Sequence, residues 1–402
     1  MQPQAFDLVI VGGGMTGLAL AAGLANTPWR IALIEAQTDL PDLNPDQLEV
    51  RVSALSEASR QLLEQLGAWS AMTQMRVTPY QGMQVWDAQG SAAIEFNAQE
   101  VGVAHLGYMV ENLVTVQGLW SQVKDQPNLT FFQGATPLAL SEAQDAQGLR
   151  QLRLDSGELL EARLVVAADG ARSNLREWAG FETREWDYGH HALVASVRTE
   201  KAHGHIARQR FNATGPLAFL PFMLNGDDHW SSIVWSTSPE EAAELQALDE
   251  SHFNARLAQS FEARLGRVEI SQERQVYPLR QRHAKTYVKP GIALMGDAAH
   301  TIHPLAGQGV NLGFQDVVAL TQVLQQAASQ QKNPGCLSVL SAYQTRRQPE
   351  NLAMMAAMES FKRLFASQTL PVLLARNLGM RWVDQNNWIK RRLVAKALGL
   401  KA

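Results

Sequence analysis

The stretch FDLVIVGGGMTGL (Phe6–Leu18) decides the fold of this chain. Its first part is apolar and runs straight into glycines, which reads as a buried strand ending in a tight turn. Gly12-x-Gly14-x-x-Gly17 then opens a helix of small residues that continues through Ala25. A second apolar run, Ile31-Ala32-Leu33-Ile34, ends at Glu35. Strand, helix and strand together occupy about 30 residues, the length a parallel crossover needs. Gly12 permits the turn, Gly14 lets the backbone approach a pyrophosphate, and Gly17 lets the helix pack closely. The free N–H groups and positive end of the helix hold the phosphate. Glu35 stands where an acid accepts from both ribose hydroxyls, which disfavours a 2′-phosphate and fits FAD and NAD equally.

Working outward, residues 39–50 are polar and contain proline, so they read as a loop, and 53–66 reads as a helix. Residues 80–97 and 186–236 alternate and are rich in aromatic and β-branched residues, the pattern of an antiparallel sheet with one buried face. Residues 150–168 predict a hairpin around Ser156-Gly157 followed by a buried strand, Leu164–Ala168. Ile292–Met295 is another strand, ending at Asp297, and a helix begins near Val310. Residues 309–327 and much of 341–400 are helical, with Pro349 and Pro371 at breaks or first turns. The fold class is therefore α/β with an α+β insertion. It comprises a Rossmann-like nucleotide lobe, an inserted antiparallel-sheet substrate lobe and a C-terminal helical region. The expected division is 1–75, 101–180 and 279–345 for the cofactor lobe, 76–100 and 181–278 for the substrate lobe, and 346–402 for the helices.

Composition narrows the function. The chain has 402 residues, 46% apolar and 18% charged, a globular balance in more than one lobe. No apolar run is long enough to span a bilayer, and no signal peptide is expected. Cys336 is the single cysteine, so no disulfide or cysteine-pair redox centre can form within the chain, and a cytoplasmic setting is expected. Neither a metal site nor a nucleophilic triad shows in the spacing. Net charge is −4, which gives no case for nucleic acid. The charge is uneven: Arg376 to Ala402 carries +6, leaving −10 on the rest.

Two further segments carry a family resemblance. LVVAADGARS (Leu164–Ser173) resembles the DG motif of the single-component flavin aromatic hydroxylases. LMGDAAH (Leu294–His300), followed by Pro304 and Gly307-Gln308-Gly309, resembles their GD motif. The likeness runs across nearly the whole chain. It is closest to the ubiquinone-biosynthesis branch (UbiH/UbiF/UbiI type) through Arg51–Leu55, Tyr108–Asn112 and Thr301–Gly313.

That resemblance implies an FAD monooxygenase that hydroxylates the ring of a polyprenyl phenol of the 2-octaprenylphenol type through a flavin C4a-hydroperoxide. NAD(P)H is the implied electron donor and O₂ the co-substrate. It implies cofactor contacts at Gly12, Gly14, Gly17, Glu35, Arg51, Asn112, Asp169, Gly296, Asp297, Pro304, Gly307, Gln308, Gly309, Val310 and Asn311. Asn112 stands where many aromatic hydroxylases carry Arg. Arg172 and Arg176 are either a structural pair or part of an NAD(P)H site.

No catalytic base is assigned. His300, His303, His190 and Tyr188 are positioning candidates, with His191 beside them. Phe219, Leu220, Pro221, Phe222 and Trp235 are candidates for an apolar substrate wall, with core packing the alternative for most. The basic tail, with Phe361, Leu364, Phe365, Leu370, Leu373 and Leu374, is either a peripheral contact with an anionic membrane at its inner face or a helical cap on the protein. A quinone-biosynthesis complex is a further expected partner, and the oligomeric state is open. The alternatives are a same-fold hydroxylase of a small soluble aromatic and an FAD-stabilised scaffold of such a complex.

Overall fold

The computed structural model describes residues 2–88, 93–144, 148–301, 309–366 and 370–399. Within these, the side chains of 101, 188, 361–363, 365–366, 370–376, 387, 396 and 397 are not described. His303, Pro304, Gly307 and Gln308 lie outside the described residues, as do the side chains of Tyr188, Phe361, Phe365, Leu370, Leu373 and Leu374.

Strand Gln4–Val11 turns at Gly12 into helix α1 (Met15–Gly23), and strand Ile31–Glu35 returns parallel to the first. These strands centre an eight-stranded sheet. Its main path runs Val288–Lys289, Ile292–Leu294, Leu159–Ala167, Gln4–Val11, Ile31–Glu35 and Leu129–Gln133. All but the first of these pairings are parallel. Leu8 to Val11 and Ile31 to Ile34 are buried without interruption, as strands covered on both faces must be. The expected hairpin forms between Arg150–Leu154 and Leu159–Ala167, and its second strand is also the buried strand.

The remaining helices are α2 (Glu57–Gln65), α3 (Ala68–Met75), α4 (Asn112–Val123), α5 (Asn174–Trp178), α6 (Pro239–Ala247), α7 (Glu250–Ser260), α8 (Gly309–Ser329), α9 (Leu337–Ala366), α10 (Leu370–Gln385) and α11 (Asn387–Ala397). Helix α8 lies against α1, and the approach is close: a Cβ on Gly23 would sit 2.9 Å from Thr321, and one on Gly313 2.8 Å from Thr16.

A second sheet of nine strands has the order His300–Thr301, Gln275–Ala284, Thr183–Thr199, Asp227–Thr237, Gly215–Leu224, Ile206–Asn212, Gly82–Asp87 and Ala93–Asn97, with Val268–Ser271 beside Thr183–Thr199. It is antiparallel as expected, except that Ile206–Asn212 and Gly82–Asp87 pair in parallel. Those two strands are distant in sequence, so no hairpin turn dictates their direction.

One face of this sheet (Leu193, Leu217, Phe219, Ile233, Trp235) packs on Leu245 of α6 and Phe253 and Leu257 of α7. The other face (Ala218, Leu220, Phe222, Trp230) meets Ala54 and Met109 of a small third sheet. The two-residue alternation therefore splits the wall candidates. Phe219 and Trp235 are core on one face and Leu220 and Phe222 core on the other, so all four follow the core-packing alternative rather than a substrate wall.

Two expectations are corrected. Residues 53–66 are not one helix: Val52–Leu55 is a strand paired with Tyr108–Glu111, and Ser56 caps α2 by accepting from Ser59 N–H at 3.3 Å. A distant strand claims the segment that local propensity assigns to helix. Pro349 is neither a break nor a first turn but lies inside α9. Pro371 does fall in the first turn of α10.

Candidate active site

The chain crosses from the first sheet to the second at residues 295–299. Ile292–Leu294 belongs to one sheet, His300–Thr301 to the other, and Gly296–Ala298 forms a 3-10 turn between them. The glycine loop of α1 and the Asp169 loop end at the same place. A Cβ on Gly12 would meet the Ala168 carbonyl oxygen at 2.3 Å and the Asp169 nitrogen at 3.0 Å. A Cβ on Gly296 would meet Thr16 at 3.3 Å.

The three fingerprint glycines serve different ends. Gly12 has φ of +109° and closes the turn by donating to the Ile34 carbonyl at 2.9 Å. Gly17 faces the Gly12 carbonyl oxygen so closely that a Cβ would lie 1.9 Å from it. Gly14 has nothing within 4 Å of a Cβ and is the N-cap of α1 without a side-chain cap. Open space in front of uncapped N–H groups is the geometry of an anion site.

Glu35 does more than wait for a ribose. Its Oε2 accepts from Gly13 N–H at 2.6 Å and its Oε1 from Gln37 N–H at 2.9 Å. The carboxylate thus fixes the glycine loop, and each oxygen keeps a further lone pair. Asp169 is half-buried; burial pushes its carboxyl above the ordinary range, and Ser173 with nearby backbone donors opposes the rise. Its Oδ1 has no donor among the described residues. Asp297 is exposed in surface area yet sits at the floor of the crossing, with protein on most sides. That enclosure raises its carboxyl pKa, while His300 and Arg51 oppose the rise.

Other expected site residues hold the frame. Asn112 accepts from the Ser53 hydroxyl at 2.7 Å, and its N–H donates to the Arg51 carbonyl at 2.9 Å. Asn311 accepts from Ser56 N–H and the Ser59 hydroxyl and donates to the Ala54 carbonyl, so its side chain clips α8 to α2. Arg176 is buried and donates to the carbonyls of Ala171 and Ala298, which ties the DG loop to the GD loop and marks it as structural. Arg51 and Arg172 are exposed. Gly309 and Val310 begin α8, and a Cβ on Gly309 would meet open space. His190 and His191 lie on Thr183–Thr199, with the strand Gln275–Ala284 between them and His300.

The sequence reading does not single out Asp316, yet it is fully buried beneath the loop. His300 Nε2 donates to its Oδ2 at 2.5 Å and Gly296 N–H at 3.1 Å. Its signal in the sequence is that it is the one charged residue of α8.

Comparison with known proteins gives the same picture. The FAD binding domain family matches residues 5–358. The chain is 40% identical to a 3-demethoxyubiquinol 3-hydroxylase of Escherichia coli over the full length of both. It is 34% identical to the human ubiquinone biosynthesis monooxygenase COQ6, covering 98% of this chain and 92% of that one. This chain belongs to the FAD-dependent hydroxylases of ubiquinone biosynthesis. In fold it is similar to p-nitrophenol 4-monooxygenase PnpA of Pseudomonas putida, with a TM-score of 0.79 at 17% identity over 99% of this chain and 100% of that one.

The residues present fit the cofactor of this family. Gly14 leaves room for a pyrophosphate, the Asp169 oxygen lacks a donor that a hydroxyl can supply, and Asp297 presents an acceptor where three loops meet. Flavin monooxygenases draw on NAD(P)H and O₂, in line with the expected donor and co-substrate. Among the described residues the groups capable of holding a metal reduce to Asp227, Asp228 and His229, on the far sheet.

Proposed function

We propose that this flavin hydroxylase inserts oxygen into the aromatic ring of a polyprenyl phenol or quinol on the way to ubiquinone. What carries the reading is the meeting of three backbone loops at one crossing between two sheets, in a chain alignable end to end with a ubiquinone-pathway hydroxylase. In this reading the cofactor lobe is 1–75, 101–180 and 279–345, and the substrate lobe is 76–100 and 181–278.

FAD held at this crossing would supply the redox chemistry, with NAD(P)H as the reductant and O₂ as the oxidant, one oxygen atom ending on the ring and the other in water. The protein's tasks are to bind, orient and keep dry. The first turn of α1 holds the pyrophosphate, with Arg51 near the phosphates, and Glu35 and Asp169 accept from hydroxyls at the dinucleotide end. Asp297 accepts from ribityl hydroxyls, and the start of α8 at Gly309 offers N–H groups to the ring edge. Leu220 and Phe222, buried against Ala54 and Met109, fasten the substrate-lobe sheet to the third sheet and so hold the two lobes together around the site.

Strains that each lack one ring hydroxylation of quinone synthesis test the substrate. Rescue of a single strain, with loss of its accumulated prenylated intermediate, is expected and fixes the ring position. Failure in every strain, with turnover of a small soluble aromatic instead, overturns the reading. Rescue by an FAD-loaded but inactive variant would favour a scaffold role.

We further propose that α10 and α11 touch an anionic membrane surface. Leu378 and Trp382, four residues apart on α10, are 66% and 59% exposed; Trp388 of α11 is 66% exposed, with the Arg392 guanidinium 4.4 Å above its ring. Arg391, next to Arg392 in sequence and also exposed, donates its Nε to the Glu100 carbonyl at 2.9 Å. Exposed tryptophans among arginines suit the headgroup region, where a prenylated substrate also resides. Val394 of α11 and Leu398 just beyond its end pack on Ala98 and Leu106, so the tail is also a cap. No helix among the described residues is long and apolar enough to cross a membrane. The protein is expected to sediment with vesicles containing phosphatidylglycerol and not with phosphatidylcholine alone, and Trp382→Ala/Trp388→Ala to stay in solution. Equal binding by the variant would count against this surface.

A further inference from the structure

The carboxylate of Asp316 is shared between two elements that are far apart in sequence. Its Oδ2 takes both ends of the cofactor loop: Gly296 N–H at 3.1 Å and His300 Nε2 at 2.5 Å. Its Oδ1 takes two side chains of α9: Arg347 Nε at 2.8 Å and Asn351 Nδ2 at 3.2 Å. All four donors and the acceptor are buried. Despite that burial, which raises a carboxyl, His300 and Arg347 hold Asp316 below the ordinary carboxylate range. It is therefore an anion whose full complement of acceptor sites is used.

The α9 side of this junction is itself braced. Arg347 also donates to Asn351 Oδ1 at 2.6 Å and to Glu350. Asn351 donates to the Tyr287 hydroxyl at 3.1 Å, which stands 2.9 Å from His283 Nε2. Pro349 lies in the middle of this set, at a helix position where it removes one main-chain hydrogen bond. A side-chain anchor at that point offsets the weakened helix ladder.

We propose that Asp316 is a positioning residue through which helix α9 sets the cofactor loop, so that seating of α9 and binding of FAD are coupled. Asp297 is the residue after Gly296 and three before His300, so a carboxylate that pins both ends of this loop fixes where the Asp297 side chain points. Anything that binds at Asp297 then favours the pinned loop, and with it the anchored α9; the coupling is reciprocal by linkage. This inference rests on the FAD reading of the crossing.

The test uses the full chain, reconstituted with FAD. Asp316→Asn keeps the shape and removes the charge. Its FAD dissociation constant is expected to rise about tenfold or more, the scale of a hydrogen bond to a charged group. Asn351→Ala removes one donor of the set and the brace on Arg347 but keeps the Asp316 charge with its His300 and Arg347 partners, so it is expected to fold where the first variant does not; its affinity is expected to fall by a smaller factor. The discriminating readout is amide exchange across residues 345–353 with and without FAD. In the wild type FAD is expected to slow that exchange, and in Asn351→Ala the slowing is expected to shrink.

A merely structural carboxylate would lower the melting temperature but leave FAD affinity of the folded variants unchanged and α9 exchange indifferent to FAD; that outcome overturns the coupling. Wild-type protein that takes up no FAD at all would instead overturn the cofactor reading beneath it.

Discussion

Gly17→Ala is expected to lose both stability and flavin, whereas Gly14→Ala keeps its fold with a smaller loss of stability and loses flavin. The two glycines are three residues apart and share one motif, but their surroundings differ. A Cβ on Gly17 would lie 1.9 Å from the Gly12 carbonyl oxygen. The obstacle is backbone, held in turn by the Gly12 N–H bond to the Ile34 carbonyl. No side-chain rotation relieves the clash, so α1 must shift away from the strand. Overpacking of this kind costs about 1–3 kcal/mol and more where backbone must move. The shift also carries the N-terminus of α1 away from the phosphate site.

At Gly14 a Cβ meets nothing within 4 Å, and φ is −74°, which alanine adopts without strain. Its new methyl stands in the space left for the pyrophosphate. Replacing an N-cap glycine also costs stability slightly, well below the Gly17 effect. Melting of the apoproteins and the flavin-to-protein absorbance ratio check both statements. A Gly17→Ala protein that melts with the wild type would refute the clash, and a Gly14→Ala protein with undiminished flavin would remove the phosphate from this turn.

Asp297→Asn is expected to shift FAD affinity and apoprotein stability in opposite directions. The carboxylate offers charged acceptors to cofactor hydroxyls, and a hydrogen bond of that kind is worth about 1.5–3 kcal/mol, or roughly one to two powers of ten in affinity. The purified variant should therefore be pale. Its apoprotein should be the more stable one at neutral pH. Enclosure raises the folded-state pKa of Asp297 above its unfolded value. Such a group contributes its stability fully below the unfolded pKa, near 3.8, and loses it as pH rises through the folded value. At pH 7 the wild type thus carries a penalty that Asn lacks, and the two melting curves should converge in acid. Equal FAD affinity, or an apoprotein that is no more stable than the wild type at pH 7, would refute this account of the residue.

The chemistry that distinguishes these two experiments also separates what is local from what is not. Gly12, Gly14 and Gly17 were readable because a strand–turn–helix imposes its demands on adjacent residues. The alternation in 186–236 announced an antiparallel sheet for the same reason: a period of two is a property of the strand itself. What it could not announce was which face would meet what, so Phe219 and Leu220, neighbours in sequence, ended in different cores. Likewise Val52–Leu55 became strand because Tyr108–Glu111 was there to pair with it.

Among the site residues, Asn112 and Asn311 were found by their motifs but proved to hold the frame with their side chains. Asp316 is not legible in the sequence because its meaning depends on Arg347 and Asn351, which lie beyond the rest of α8 and a loop.

The sequence by itself determined the βαβ start and the antiparallel character of the second sheet, since backbone geometry and short-range periodicity are written in consecutive residues, while the two further cofactor loops were marked by their resemblance to the DG and GD motifs. Only the tertiary structure decided that the loops meet where one sheet hands over to the next, and that a buried acid in α8 fastens them to α9. Burial and hydrogen-bond partners are relations between distant segments, and they exist only once the chain has closed on itself.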